Sequence, residues 1–205
     1  MTLPTAYSWF PVGLSLSVLY EAPQGRRVNV LGAYLSHGPE AGRLVFASYA
    51  SVPKSSGKAA RKPVAEVAAA HGVDPACVGP ITSERLVAFF WQVAGRPVDA
   101  GPDWKRGRRL VIVLDNYSVH KSQTVKDALP ALLAAGIELF YLPAYSPQLS
   151  EIEPIWRSVK GHGMPYRSQT ELGALKRTVD DALADKARQL MARQAETTNF
   201  AHTPT

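Results

Sequence analysis

Five consecutive apolar residues, Leu110 to Leu114, followed at once by Asp115, constrain this chain more than any other feature. A surface strand alternates apolar and polar side chains, whereas an unbroken apolar run predicts a strand covered on both faces, as in an α/β sheet. The neighbouring segments agree. "TVKDALPALLAAG" reads as a helix that Pro130 bends or divides and Gly136 ends, and "IELFYLPAY" reads as a second buried strand. Upstream, Thr82 or Ser83 caps "ERLVAFFWQVAG", in which Leu86, Phe89, Phe90 and Val93 fall on one helical face. "RRVNVLGAYLSHG" and "GRLVFASYA" alternate as an antiparallel pair, and "TELGALKRTVDDALADKARQLMARQA" carries Leu172, Leu175, Val179 and Leu183 at helical spacing behind a Thr170 cap. Between the early strands and the first long helix, residues 51–81 lose periodicity apart from a short helical piece, "VAEVAAAHG", and read as an insertion or mobile connection. The order predicts a mixed sheet flanked by helices in one domain over residues 1–195, with a flexible tail at 196–205. In such sheets sites form outside the carboxyl ends of strands, where Asp115 stands.

A single cysteine, Cys77, excludes an internal disulfide framework and multi-cysteine zinc patterns, so a cytoplasmic setting is expected. No apolar run approaches the ~18 residues of a membrane span, and "MTLPTAYSWFPVG" lacks the regions of a signal peptide. The formal net charge of +6 points to a polyanionic partner. Its clusters, Lys54, Lys58, Arg61 and Lys62, then Lys105, Arg106, Arg108 and Arg109, fit either phosphate contacts or a solvated loop, and both readings stay open.

The stretch "YLPAYSPQLSEIEPIW", Tyr141 to Trp156, breaks at two prolines and resumes as a helix carrying Glu151 and Glu153. An Asp leaving a buried strand and a Glu on a later helix suit a divalent cation that takes hard oxygen ligands for phosphoryl chemistry. Asp115-Asn116 is equally ordinary turn chemistry, and Ser150 to Glu153 matches a capping box, although Pro154 would then fall where its missing N–H is needed. With Ile152, Ile155, Trp156 and Val159 as the buried arc, helical phase leaves both glutamates open.

"VIVLDNYSVH" followed by "ELFYLPAYSPQLSEIEPIWRSVK" resembles the signature of DDE transposases of the mariner superfamily, closest to the insertion sequence 630 type: a strand ending Asp-Asn-x-x-x-His, then Leu-Pro-x-Tyr-Ser-Pro-x-Leu-Asn-Pro-Ile-Glu-x-x-Trp. "YSWFPVG" and "RRVNVLGAY" are similar, more loosely, to the family's early turn and following strand, so the likeness spans most of residues 7–180. It implies a ribonuclease H-like fold and a DNA partner. Carried over, Asp115 matches the second metal-binding aspartate and Glu153 the third acidic residue, with thirty-seven residues between them. Asn116, His120, Tyr145, Ser146, Pro147 and Trp156 match supporting positions, His120 as a loop residue rather than a ligand. Ser150 and Glu151 depart from the family's Asn-Pro. The resemblance further implies two Mg²⁺ (or Mn²⁺) ions that activate water, and later a DNA 3′ hydroxyl, for attack on phosphodiesters. Lys105, Arg106, Arg108, Arg109, Arg157 and Lys160 are the candidates for DNA phosphates.

The family's first aspartate precedes its early turn, yet here Trp9 stands near Met1 and no Asp occurs before Asp74. The first strand and its ligand are therefore expected to be missing, together with the N-terminal helix-turn-helix of relatives. Two functions follow: a transposase catalytic domain for an insertion sequence, incomplete as it stands, or an inactive remnant that binds DNA or associates with an intact transposase or with itself. Another ribonuclease H-like nuclease, such as a resolvase, fits the Tyr-Ser-Pro motif less well.

Overall fold

Alternating β-branched and aromatic residues pair as expected in β1 (Val28–Leu35) and β2 (Arg43–Ala50). The computed structural model describes residues 26–51, 63–144, 146–164 and 169–201. The early turn at residues 7–13, the basic cluster from Lys54 to Lys62, Tyr145 and the last four residues lie outside the described residues. Hydrogen bonds from Gly42 N–H to Leu35 O and from Ser51 N–H to Arg27 O, both 2.8 Å, close the two ends of an antiparallel pair.

Residues 63–81, within the stretch read as a connection, carry α1 (Val64–His71) and a 3₁₀ turn at Pro75–Cys77. Gly72 ends α1 in the left-handed conformation (φ 60°), its N–H returning to the Ala68 and Ala69 carbonyls. Helix α2 (Ser83–Val93) is capped by Thr82, whose Oγ1 accepts from the Arg85 N–H at 3.3 Å, and it buries Leu86, Phe89, Phe90 and Val93. Strand β3 (Leu110–Leu114), α3 (Gln123–Ala134) and β4 (Ile137–Tyr141) form a strand-helix-strand unit. β3 and β4 pair in parallel, from Leu110 opposite Ile137 to Leu114 opposite Tyr141. Pro130 sits inside an undivided α3, on its exposed side, where water can take the hydrogen bond that the ring removes. Helix α4 (Glu153–Ser158) is short and runs into a π-helical turn, Val159–Gly163; α5 (Leu172–Ala201) continues past Glu196.

The fold is mixed α/β, and its described strands make two separate two-stranded sheets, one antiparallel and one parallel. The expectation that β3 is covered on both faces does not hold among the described residues. Ile112 and Leu114 are buried, but Val111 is 52% exposed, Val113 53% and Phe140 54%. Among the described residues, α2 and α3 supply a covering layer for the side of Ile112 and Leu114 only.

The chain divides into two compact units. One comprises Val30–Ala47, Ile81–Pro154 and the chain from Gln189 on; its core is built on Phe90, Leu86, Leu132, Val125 and Ile137. The other comprises, among the described residues, 26–29 and those within Ser48–Pro80 and Ile155–Arg188; Ala50, Val67, Ala68, Val78 and Leu172 form a core there. In that second unit Gly173 has functional smallness: a Cβ on it would lie 2.1 Å from the His71 carbonyl oxygen, so α5 can approach the end of α1 only without a side chain.

Candidate active site

The parallel pair ends at Leu114 and Tyr141, and one further bond, Leu142 N–H to Leu114 O at 2.8 Å, carries the pairing to the point where both strands release their loops. Asp115 leaves β3 at this carboxyl end with its side chain 67% exposed. Its Oδ1 accepts from the Tyr117 N–H at 3.0 Å, the Asx turn foreseen for an Asp-Asn exit. His120 approaches from the following 3₁₀ turn, Ser118–Lys121, and places Nδ1 2.8 Å from Asp115 Oδ1 and 3.1 Å from Asp115 O. Asn116 donates through Nδ2 to the Leu142 carbonyl, tying the β3 loop to the β4 loop. Tyr141 donates its hydroxyl to the His120 carbonyl at 2.8 Å, and burial raises its pKa above the usual phenol value. Neither Tyr141 nor Leu142 stood out in the sequence as a site residue, because only the parallel pairing brings them beside Asp115 and His120.

The β4 loop continues through a 3₁₀ turn at Pro147–Leu149, with Ser146 Oγ donating to Ala144 O at 3.4 Å. Glu153 is the first residue of α4, and its N–H donates to Ser150 O at 3.2 Å. This start removes the objection raised by Pro154. The proline falls in the first turn, where its N–H would have no helical partner, rather than at the fourth position that a Ser150 cap predicts. Glu151 and Glu153 are both exposed, Trp156 is half-buried and Ile155 is buried.

The basic residues separate by environment. Arg106 is only 17% exposed in its side chain; its guanidinium donates to Glu40, which also pairs with Arg43, and to the Ala94 carbonyl at 2.7 Å. Its charge is engaged inside the fold, unlike those of its neighbours in the loop. Lys105, Arg108 and Arg109 are exposed, Arg109 in an ion pair with Glu138 that contributes no more than about 1 kcal/mol. Arg157 and Lys160 are exposed as well.

A family model described as DDE superfamily endonuclease matches residues 73–176, just over half of the 205 residues. The chain belongs to the DDE superfamily of endonucleases. A search of curated proteins found no match. The match covers α2, the β3-α3-β4 unit and α4 of this DDE domain, and so both Asp115 and Glu153. Membership implies a DNA substrate and dependence on a divalent metal. Asp115 and Glu153 fit such a metal in kind, being exposed hard-oxygen donors, Asp115 at the carboxyl end of β3 and Glu153 at the start of α4. They supply two donors; among the described residues no group of three His, Cys, Asp or Glu side chains is placed to hold an ion. No helix among the described residues is long and apolar enough to cross a membrane.

Proposed function

We propose that this DDE chain is the catalytic domain of a transposase of the insertion sequence 630 type, with a ribonuclease H-like fold, that cleaves and joins DNA strands by phosphoryl transfer. The observation that carries the reading is Asp115: an exposed carboxylate at the carboxyl end of a parallel strand, with one oxygen already oriented by the Tyr117 amide and His120. Glu153 opens the helix that follows the partner strand, in the order and spacing of the family's acidic residues. Asp115 and Glu153 would hold Mg²⁺ or Mn²⁺, which supplies positive charge for the transferring phosphoryl group and lowers the pKa of bound water. The protein's own contribution is placement. Asn116 and Tyr141 fix the two loops to one another, and exposed Lys105, Arg108 and Arg109 on one unit, and Arg157 and Lys160 on the other, neutralise DNA phosphates.

The test is cleavage of supercoiled DNA by the whole chain with Mg²⁺ or Mn²⁺. Nicking is expected, falling by about a hundredfold or more in Asp115→Ala and in Glu153→Gln. Cleavage that survives Asp115→Ala overturns the assignment. A second reading, an inactive remnant that binds DNA or joins an intact transposase or another copy of itself, is favoured by the lack of a three-ligand group among the described residues. It predicts DNA retardation in a gel with no nicking.

A further inference from the structure

We propose that His120 is the positioning residue of Asp115, acting through a ring whose proton is fixed on Nδ1. The inference rests on Asp115 serving as a metal ligand and adds to that reading the group that aims the carboxylate. Nδ1 lies 3.1 Å from Asp115 O and 2.8 Å from Asp115 Oδ1. A peptide carbonyl can only accept, so the Nδ1 bonded to it must be the donor, and that N–H lies beside Asp115 Oδ1, whose carboxylate charge favours the same placement of the proton. His120 therefore holds the N–H at Nδ1, and in the neutral ring Nε2 keeps the lone pair.

Two contacts and its burial keep the ring there. Tyr141 donates its hydroxyl to the His120 carbonyl at 2.8 Å, anchoring the turn to the last residue of β4. Tyr117 sets its ring edge-on to the imidazole, 6.0 Å between centroids at 79°. His120 is itself largely sheltered, at 17% side-chain exposure, while the carboxylate it holds is 67% exposed. A sheltered donor gripping one oxygen of an exposed carboxylate removes rotamer freedom that cation binding would otherwise have to remove. Groups that orient a ligand in this way commonly change metal affinity by about 10- to 100-fold. Bonding to the main-chain carbonyl of the same residue makes the hold two-point, so both the backbone exit from β3 and the Asp115 side chain are set by one ring.

Two measurements on the whole chain test this. Long-range ¹H–¹⁵N correlation spectra of the histidine rings, without metal and at about pH 8.5, where an ordinary imidazole is neutral, should show His120 protonated at Nδ1; protonation at Nε2 overturns the proposal, whatever the metal does. Mn²⁺ titration followed by the electron spin resonance of the free ion should show His120→Ala binding about tenfold or more weakly. His120→Asn, whose Nδ2–H occupies the place of Nδ1–H, should bind within about threefold of the parent. Equal binding by the parent and His120→Ala, or no recovery in His120→Asn, overturns the positioning role. If Asp115→Ala binds Mn²⁺ as the parent does, the ligand assignment falls instead, and the ring spectrum separates that failure from failure of the His120 contact.

Discussion

Asp180 and Asp115 are both aspartates beside a basic side chain, and they are held in opposite ways. In the unit built on Ala50, Val67 and Leu172, Asp180 accepts from the Ser48 hydroxyl and from Lys176 Nζ at 2.7 Å, while Lys176 also reaches Ser48 Oγ at 2.9 Å. Ser48 is buried, the Lys176 side chain is 14% exposed and that of Asp180 35%, so three polar groups complete one another in a largely sheltered place. That network joins β2 to α5 and leaves its charges no further task. Asp115, in the other unit, is exposed and is gripped by one backbone N–H and one ring nitrogen. The contrast teaches that a charge enclosed with its partners serves architecture, whereas one oriented but still open to solvent is available for chemistry.

The largest expected effect probes the architectural side. Gly173→Ala places a methyl group against the His71 carbonyl oxygen, at 2.1 Å before relaxation, and should cost about 3 kcal/mol in urea unfolding because a backbone atom cannot rotate away. Asp180→Ala should cost about 2 kcal/mol, since it strands the sheltered Lys176 ammonium and the Ser48 hydroxyl. Asp115→Ala should cost under about 1 kcal/mol in the same experiment while removing cleavage. Equal losses for the two aspartates would break the comparison.

A pH titration sharpens it on the site side. The Tyr141 pKa is raised by burial, so the folded state favours the neutral phenol. Its contribution is complete below the unfolded value of about 10 and is lost as pH rises through the higher folded value. Stability measured across that alkaline window should fall less steeply in Tyr141→Phe. The smallest effect belongs to Glu84, whose pKa is lowered by a backbone hydrogen bond and by Thr82 at the start of α2. Its contribution is present above the usual carboxylate range and is lost as pH falls through the depressed value. Glu84→Gln should flatten the acid limb slightly without altering Asp115 or its partners.

Several elements were legible because their causes are local. Thr82, the Leu86-Phe89-Phe90-Val93 spacing and the Gly95 stop describe α2 completely, since capping and helical period act within a few residues. Gly72 marked the end of α1 for the same reason. Arg106 was not legible. It stands among basic residues that look alike in sequence, and its partner, Glu40, is 66 residues away. The one-sided exposure of β3 also escaped the sequence, because Val111 and Val113 are as apolar as Ile112 and Leu114, and composition does not report which face finds a cover. In the candidate site, Asp115 could be read from its place after a strand, and Glu153 from its spacing within a resemblance. The Asn116 bond to Leu142 and the Tyr141 bond to His120 could not, because both depend on parallel register between separate strands.

By itself the sequence determined the periods, caps and turns, and with them the order of strands and helices and the two carboxylates worth considering, because these follow from near neighbours along the chain. Tertiary structure decided which charges are enclosed, where α4 begins, and which groups face Asp115, because each depends on the environment that distant segments create around a group.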